Sequence, residues 1–393
     1  MKPDFSTSRV PKLTSNSHYA ITLAILSACS LVTDTGARDL KTGASKSLSL
    51  RQDGRTGLGV QVKAIATFLA VMGAFGAPLL YGQANQNRTD NEVHVWPVHG
   101  GVYMLVSGGS NITVQIGEDG ILLVDSGTDA MSGKVLEAIH SLSKGPLIYI
   151  INTDEASDHV GGNAKIAATG NPVSFNNLTS LGRAGATGAF IISTESVFER
   201  MSAPTGQVAP TPEDAWPNDT YSTPEKKLYF NGEPIQILRQ PANTDGNSIV
   251  LFRKSDVISV GDLFDLSEYP IIDLKAGGSI QAIIDGLNRV IDLTVVRGHA
   301  EGGTLVIPGH GRLCDQADVV VYQQMVTIIR DRIQDMIKRG MTLEQVKAAK
   351  PTADWDPLYG ETSGHWTTDM FVEAAYKSLM GNGDKKKPEE SEN

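Results

Sequence analysis

The stretch that most restricts this chain is Leu147 to Asn163. Five apolar residues, Leu147-Ile148-Tyr149-Ile150-Ile151, run straight into N-T-D-E-A-S-D-H-V-G-G-N. A short apolar run closed by polar residues and glycines reads as a buried strand ending in a tight loop. The loop sets an acid beside an imidazole, Asp158-His159, with a second acid four residues earlier at Asp154. Carboxylate plus imidazole is a ligand combination for a divalent metal.

Two further apolar runs end in ligand-type residues. Val257-Ile258-Ser259-Val260 leads to Gly261-Asp262, and Thr304-Leu305-Val306-Ile307 to Pro308-Gly309-His310-Gly311. Taken singly, an Asp after a strand is a turn residue and a His between glycines a loop residue. Neighbouring strand ends in an α/β sheet converge on one edge, so together they outline a centre of Asp158, His159, Asp262 and His310. Other strands are expected at Val102 to Val106, Ile121 to Val124, Ile235 to Leu238 and Ser248 to Phe252. Ile112, Val114 and Ile116 alternate with polar residues, the half-buried pattern. Apolar spacing predicts helices around Met131 to Ile139, Ile280 to Ile291 and Val319 to Lys338, with a short one at Ala164 to Thr169. A capping box is expected at Thr342 and Gln345.

With these segments in place, residues 152–163 resemble the metal-binding loop of the metallo-β-lactamase superfamily, N-T-H-x-H-x-D-H-x-G-G-N. Asp154 and Ala156 stand where two of its histidines would be. A third histidine opens the family's H-T-D-G-D-S segment; here Asn243-Thr244-Asp245-Gly246-Asn247-Ser248 puts Asn243 in its place. Asp262 matches the bridging aspartate, His310 the histidine of P-G-H-G, and Asp125-Ser126-Gly127 the supporting acidic turn. The resemblance runs from about Val93 to Asp315. It implies an α/β (α+β) fold, the αββα sandwich of two mixed sheets with outer helices, onto which C-terminal helices would pack.

By that resemblance the three missing histidines would hold one metal, while Asp158, His159, Asp262 and His310 hold the other. One divalent ion is therefore expected, zinc first, with manganese or iron as alternatives. Asp158 and Asp154 are the expected catalytic groups, Asp154 as general base; Asp154 and Asn243 are also weak candidate ligands. Two ligating carboxylates cancel the ion's charge, so water activation should be weaker than in a tri-histidine site. Each pKa unit of lost activation corresponds to about 1.4 kcal/mol. The expected activity is single-ion hydrolysis of an ester, lactam or thioester in a small-molecule substrate. The alternative is a catalytically impaired relative that keeps the fold as a binding module.

Composition narrows the remaining choices. A net charge of -10 over 393 residues argues against nucleic acid or an anionic membrane surface as partner. Two cysteines, Cys29 and Cys314, do not make a disulfide framework. Residues 1–90 read as an export region and linker, with apolar runs at Tyr19 to Val32 and Ala64 to Tyr81. A cleaved signal and an exported protein, periplasmic or secreted, are expected; a membrane anchor or lipidation at Cys29 is the lesser alternative. The domain is expected over 91–317, the packed helices over 318–383 and a disordered tail over 384–393.

The other histidines read as structural. His94 and His99 precede the first expected strand and read as surface residues, and His140 lies on the exposed side of a helix pattern. His365-Trp366, with Trp355 and Tyr359, reads as packing of the C-terminal segment. Glu225-Lys226-Lys227 reads as a solvated edge. No G-x-S-x-G elbow marks a serine hydrolase.

Overall fold

The computed structural model describes residues 91–170, 188–202, 208–298 and 302–383. All of them belong to the unit Ala70–Asn393. The expectations for residues 1–90 and for the tail lie outside the described residues.

The first half of the domain is built from β1 (Val93–His99), β2 (Val102–Ser107), β3 (Ser110–Gly117), β4 (Gly120–Val124), β5 (Leu147–Ile151), β6 (Phe190–Thr194) and β7 (Asp219–Tyr221). Helices α1 (Ser132–Leu142), α2 (Ser157–Val160), α3 (Asn163–Ala167) and α4 (Glu195–Met201) connect them. The second half comprises β8 (Glu225–Phe230), β9 (Glu233–Arg239), β10 (Ser248–Phe252), β11 (Val257–Asp265), β12 (Leu305–His310) and β13 (Cys314–Asp315). Its helices are α5 (Ile280–Leu293), α6 (Gln316–Lys338), α7 (Leu343–Ala348), α8 (Asp356–Tyr359) and α9 (Thr368–Gly383). The pairs β4–β5, β5–β6, β6–β7 and β11–β12 are parallel, and the hairpin-linked pairs antiparallel, so both sheets are mixed. A single residue pair, Ser110 with His310, joins the halves into one continuous ladder.

Three apolar layers make this an αββα sandwich. Val124, Ile148 and Ile192 from one sheet meet Ile235, Val250 and Ile307 from the other. Behind the first sheet, Leu123 and Ile150 pack on Val135 and Ile139 of α1. Behind the second, Ile258 and Val260 pack on Ile283 and Leu287 of α5 and on Tyr322 and Ile329 of α6. Each such buried aliphatic side chain contributes about 1.5–3 kcal/mol relative to exposure.

The structure corrects two expectations. The first strand is β1, so His94 and His99 sit within a strand rather than before one. His99 is exposed, as a surface residue, and its Nδ1 is 2.5 Å from the Ser255 carbonyl just before β11. Strand β3 is buried on both faces, not half-buried. Its polar side chains find donor or acceptor partners in the other half of the molecule: Asn111 donates to Pro308 O at 2.9 Å, Thr113 to Ser259 Oγ at 3.0 Å, and Gln115 to Glu233 Oε1 at 2.6 Å. Polar side chains can line a seam when each finds a partner.

The C-terminal helices are stapled by charge as well as packing. The capping box at Thr342 and Gln345 is formed. Glu373 of α9 accepts from Lys347 of α7 at 2.7 Å and from Lys377 at 2.6 Å. The Lys347 bond first, then Lys377, pulls its carboxyl down to about 2. A depressed folded pKa stabilises above the ordinary value of 4.5, and the gain is lost as pH falls toward 2. Solvent screening at this one-third-exposed site limits the gain to about 0.5 kcal/mol. Glu373→Gln should lower Tm by about 1–2 °C at pH 7 and by less at pH 3. Thermal unfolding at the two pH values checks this, and a loss that does not shrink in acid counts against it.

Candidate metal centre

The candidate ligands leave strands whose carboxyl ends share one edge. Asp125 follows β4, Asp154 lies just past β5, Asp262 is in the last half of β11 and His310 ends β12. Strand β3 enters at the same edge through Ser110, whose hydroxyl donates to Asp158 O at 3.1 Å.

The ligand loop is closed by its own first and last residues. Asn163 Nδ2 donates to Asn152 Oδ1 at 2.9 Å, and Asn152 Nδ2 returns to Asn163 Oδ1 at 3.2 Å. Both side chains are fully buried, so the amides must satisfy each other, and in doing so they lock the loop's ends. Ser126 then clamps the middle: its N–H and hydroxyl both donate to His159 O, at 2.8 and 3.0 Å. Gly162 permits that approach, because a Cβ there would lie 2.3 Å from Ser126 O. The result is the short helix α2, which presents Asp158 and His159 side by side.

The two imidazoles interleave with carboxylates. His159 Nδ1 lies 2.7 Å from Asp125 Oδ2, and its Nε2 lies 3.0 Å from Asp262 Oδ1. His310 Nε2 is 2.8 Å from Asp158 Oδ2; its Nδ1 is 3.2 Å from Asp262 Oδ1 and 3.4 Å from Asp265 Oδ2. The rings stand nearly perpendicular, 5.8 Å apart. Asp125 also accepts Thr153 N–H at 2.8 Å and the Thr153 hydroxyl at 2.7 Å, from a left-handed backbone at φ 64°. That conformation costs a non-glycine residue about 1–3 kcal/mol and persists where the surroundings dictate it.

The four side chains named from sequence are thus brought together. Ligating atoms of Asp158, His159 and His310 lie within 4.8 Å of one another, as do those of Asp154, His159 and Asp262. Asp265 is the one the sequence reading missed. Strand β11 runs three residues beyond its expected end, and the second acid of G-D-L-F-D reaches His310. That repeated acid was the available signal.

Charge around the rings is negative. Burial alone would lower both imidazoles, yet Asp154, Asp262 and Asp125 raise His159 well above its ordinary pKa, and Asp265, Asp262 and Asp158 do the same for His310. Burial would raise Asp262, but the two imidazoles outweigh it and hold the carboxyl well below the usual range. Asp154 goes the other way: burial, reinforced by Asp262 and Asp125, pushes it up to about 8.

Of the positions that lack histidine, Asp154 ties the loop. Asp154 Oδ1 accepts the Ala156 N–H at 2.9 Å, an Asx turn, and its Oδ2 accepts Asn247 Nδ2 at 3.4 Å. Ala156 precedes α2 as its N-cap. Asn243 is buried, and its Oδ1 has no hydrogen-bond partner. Elsewhere the structural readings hold: His140 is exposed, and Trp355, Tyr359 and Trp366 pack on the second core. Cys314 is a buried free thiol. Among the described residues no helix is long and apolar enough to cross a membrane.

The αββα sandwich carries, at its shared strand edge, an Asp/His cluster whose ligating atoms are close enough together to hold a metal ion. The sequence profile of the metallo-beta-lactamase superfamily matches residues 106–310, and the chain belongs to that superfamily. Among solved structures, similar ones include a double mutant of the sec-alkyl sulfatase PisA1, with a TM-score of 0.54 and 13% identity over 79% of this chain and 54% of that one. The stereoselective inverting sec-alkylsulfatase Pisa1 from Pseudomonas sp. gives 0.53 and 14% over the same shares. A metallo-beta-lactamase from Pontibacter korlensis gives 0.45 and 15%, over 60% of this chain and 99% of that one. This chain therefore spans about half the length of the alkylsulfatases. No curated protein matches it.

Proposed function

We propose that this protein is a hydrolase that works with one divalent ion, zinc first and manganese or iron as alternatives, held by Asp158, His159, Asp262 and His310. The observation that carries this is Asp262 Oδ1 lying 3.0 Å from one imidazole and 3.2 Å from the other, with Asp158 closing the ring on His310. Two imidazoles and two carboxylates form a donor set that such ions accept, and the surplus of buried carboxylates favours a cation.

A bound ion would supply Lewis-acid polarisation of a carbonyl and a water of lowered pKa. The chain's own residues do the rest. Asp125 holds Nδ1 of His159, which aims Nε2 into the centre. Asp265 sets its charge 3.4 Å from Nδ1 of His310. Asp154 takes the general acid–base role, because its carboxyl is gathered with His159 and Asp262 at the same centre. The substrate is a small molecule with an ester, lactam or thioester bond.

One observation favours a second reading, a non-catalytic relative. The four proposed ligands already pair with one another, so the cluster can hold itself together by charge alone. Metal analysis of purified protein, combined with turnover of generic ester and lactam probes, separates the two. One tightly held ion and chelator-sensitive turnover are expected, and Asp262→Ala should lose both by more than about 100-fold. Protein with neither ion nor turnover fits the second reading instead.

A further inference from the structure

Helix α2 has four residues, too few to hold its own shape in water, so its neighbours must set the directions of Asp158 and His159. Helix α4 supplies that support from two sides. On its apolar side Val197 and Met201 pack on Val160, the last residue of α2. On its polar side Arg200 reaches the loop that feeds α2: Nε lies 2.5 Å from Glu155 Oε1 and Nη2 3.3 Å from Oε2. The same guanidinium crosses to the loop 243–247, donating through Nη1 to Asp245 Oδ1 at 2.7 Å and through Nη2 to Thr244 Oγ1 at 3.4 Å. Gly246 lets the guanidinium lie against that loop, since a Cβ there would fall 2.4 Å from Nη2.

The two loops joined in this way are the ones that carry Asp154, Ala156 and Asn243. They touch each other through polar bonds, Asn247 Nδ2 to Asp154 Oδ2 at 3.4 Å and Ser248 N to Thr153 O at 2.8 Å. Helix α4 is itself pinned to the second loop, where the Thr194 hydroxyl donates to Gly246 O at 2.9 Å. We propose that Arg200 is a positioning residue: its guanidinium bolts the Glu155 and Asp245 loops together and, with α4 behind it, splints the helix that presents Asp158 and His159. A planar fork is needed for this. Its Nη2 donates to Glu155 with Nε in ion-pair contact beside it, and its Nη1 donates to Asp245, a spread that the single point charge of lysine cannot match.

The test uses Arg200→Lys and Arg200→Met in the full chain. Amide hydrogen exchange is measured on chelator-treated protein, and zinc affinity by competition with a chromogenic chelator. Exchange at 153–160 and 243–247 should rise at least about 10-fold in both variants, while amides of β4 stay at wild-type rates. The Kd for zinc should rise about 10–100-fold, the usual effect of losing an outer support of a metal ligand. The lysine variant is the safeguard, because it keeps the charge and most of the packing. Unchanged exchange in both segments, or a uniform rise across the chain, overturns the proposal, and so does a wild-type Kd in both variants. The zinc arm rests on the metal reading given above and the exchange arm does not. A wild-type protein that ignores zinc yet shows the local exchange response removes the metal and keeps the splint.

Discussion

Replacing Asp125 by alanine is expected to lower the Tm of the metal-free protein by about 6–10 °C and to raise the Kd for zinc about 10–100-fold. Asp125 is 2% exposed and serves three donors at once: the Thr153 N–H, the Thr153 hydroxyl and His159 Nδ1. Removing it strands a buried imidazole and a buried amide. Breaking such a pair from one side costs about 3–5 kcal/mol. Alanine also inherits the left-handed backbone at φ 64° without the bonds that maintain it. Asparagine tolerates that conformation and keeps one acceptor for Thr153, so Asp125→Asn should lose about half as much. Thermal unfolding and zinc competition on both variants decide the matter. An alanine variant that melts within about 2 °C of wild type and holds zinc equally well takes Asp125 out of the centre.

Gly309→Ala should disable the centre from the opposite strand. A Cβ on Gly309 would fall 2.4 Å from Asp262 Oδ1 and 2.8 Å from the Gly261 carbonyl carbon. The carboxylate can swing away, but the backbone of a buried strand cannot. Gly261 is itself wedged at φ 53° with its α-carbon against Thr153, where a Cβ would meet Oγ1 at 2.4 Å. The methyl group should therefore displace Asp262 from between the two imidazoles, weakening zinc by at least about 100-fold and costing about 1–3 kcal/mol of stability. Gly133→Ala is the control. Nothing lies within 4 Å of a Cβ there, and the position is helical, so neither property should fall. Equal zinc affinity in Gly309→Ala and Gly133→Ala would falsify the placement of Asp262 at the centre.

What could be read without coordinates was what is local. Strands β4, β5, β10 and β12 show as apolar runs because burial on both faces demands them, and the helix α5 shows because its stripe repeats every three to four residues. Asp158-His159 was visible as a pair, and Asp262 and His310 were visible because glycine punctuation follows or precedes them at strand ends. Asp265 was not, since its role depends on a strand continuing past an irregularity at Gly261. The polar face of β3 misled for a related reason: Thr113 and Gln115 look solvent-facing until Ser259 and Glu233 are brought against them from more than a hundred residues away.

The sequence by itself carried the strand and helix segments and the four ligand-type residues at strand ends, because periodicity and motif spacing are written in neighbouring residues, and the motifs' resemblance to the superfamily implied the layer order. Only the tertiary structure decided how those side chains are held. The Asn152–Asn163 lock, the Asp125 brace on His159, the Asp265 contact with His310 and the Arg200 fork each join segments that no spacing rule relates. Their partners are chosen by the burial of polar groups that water can no longer satisfy.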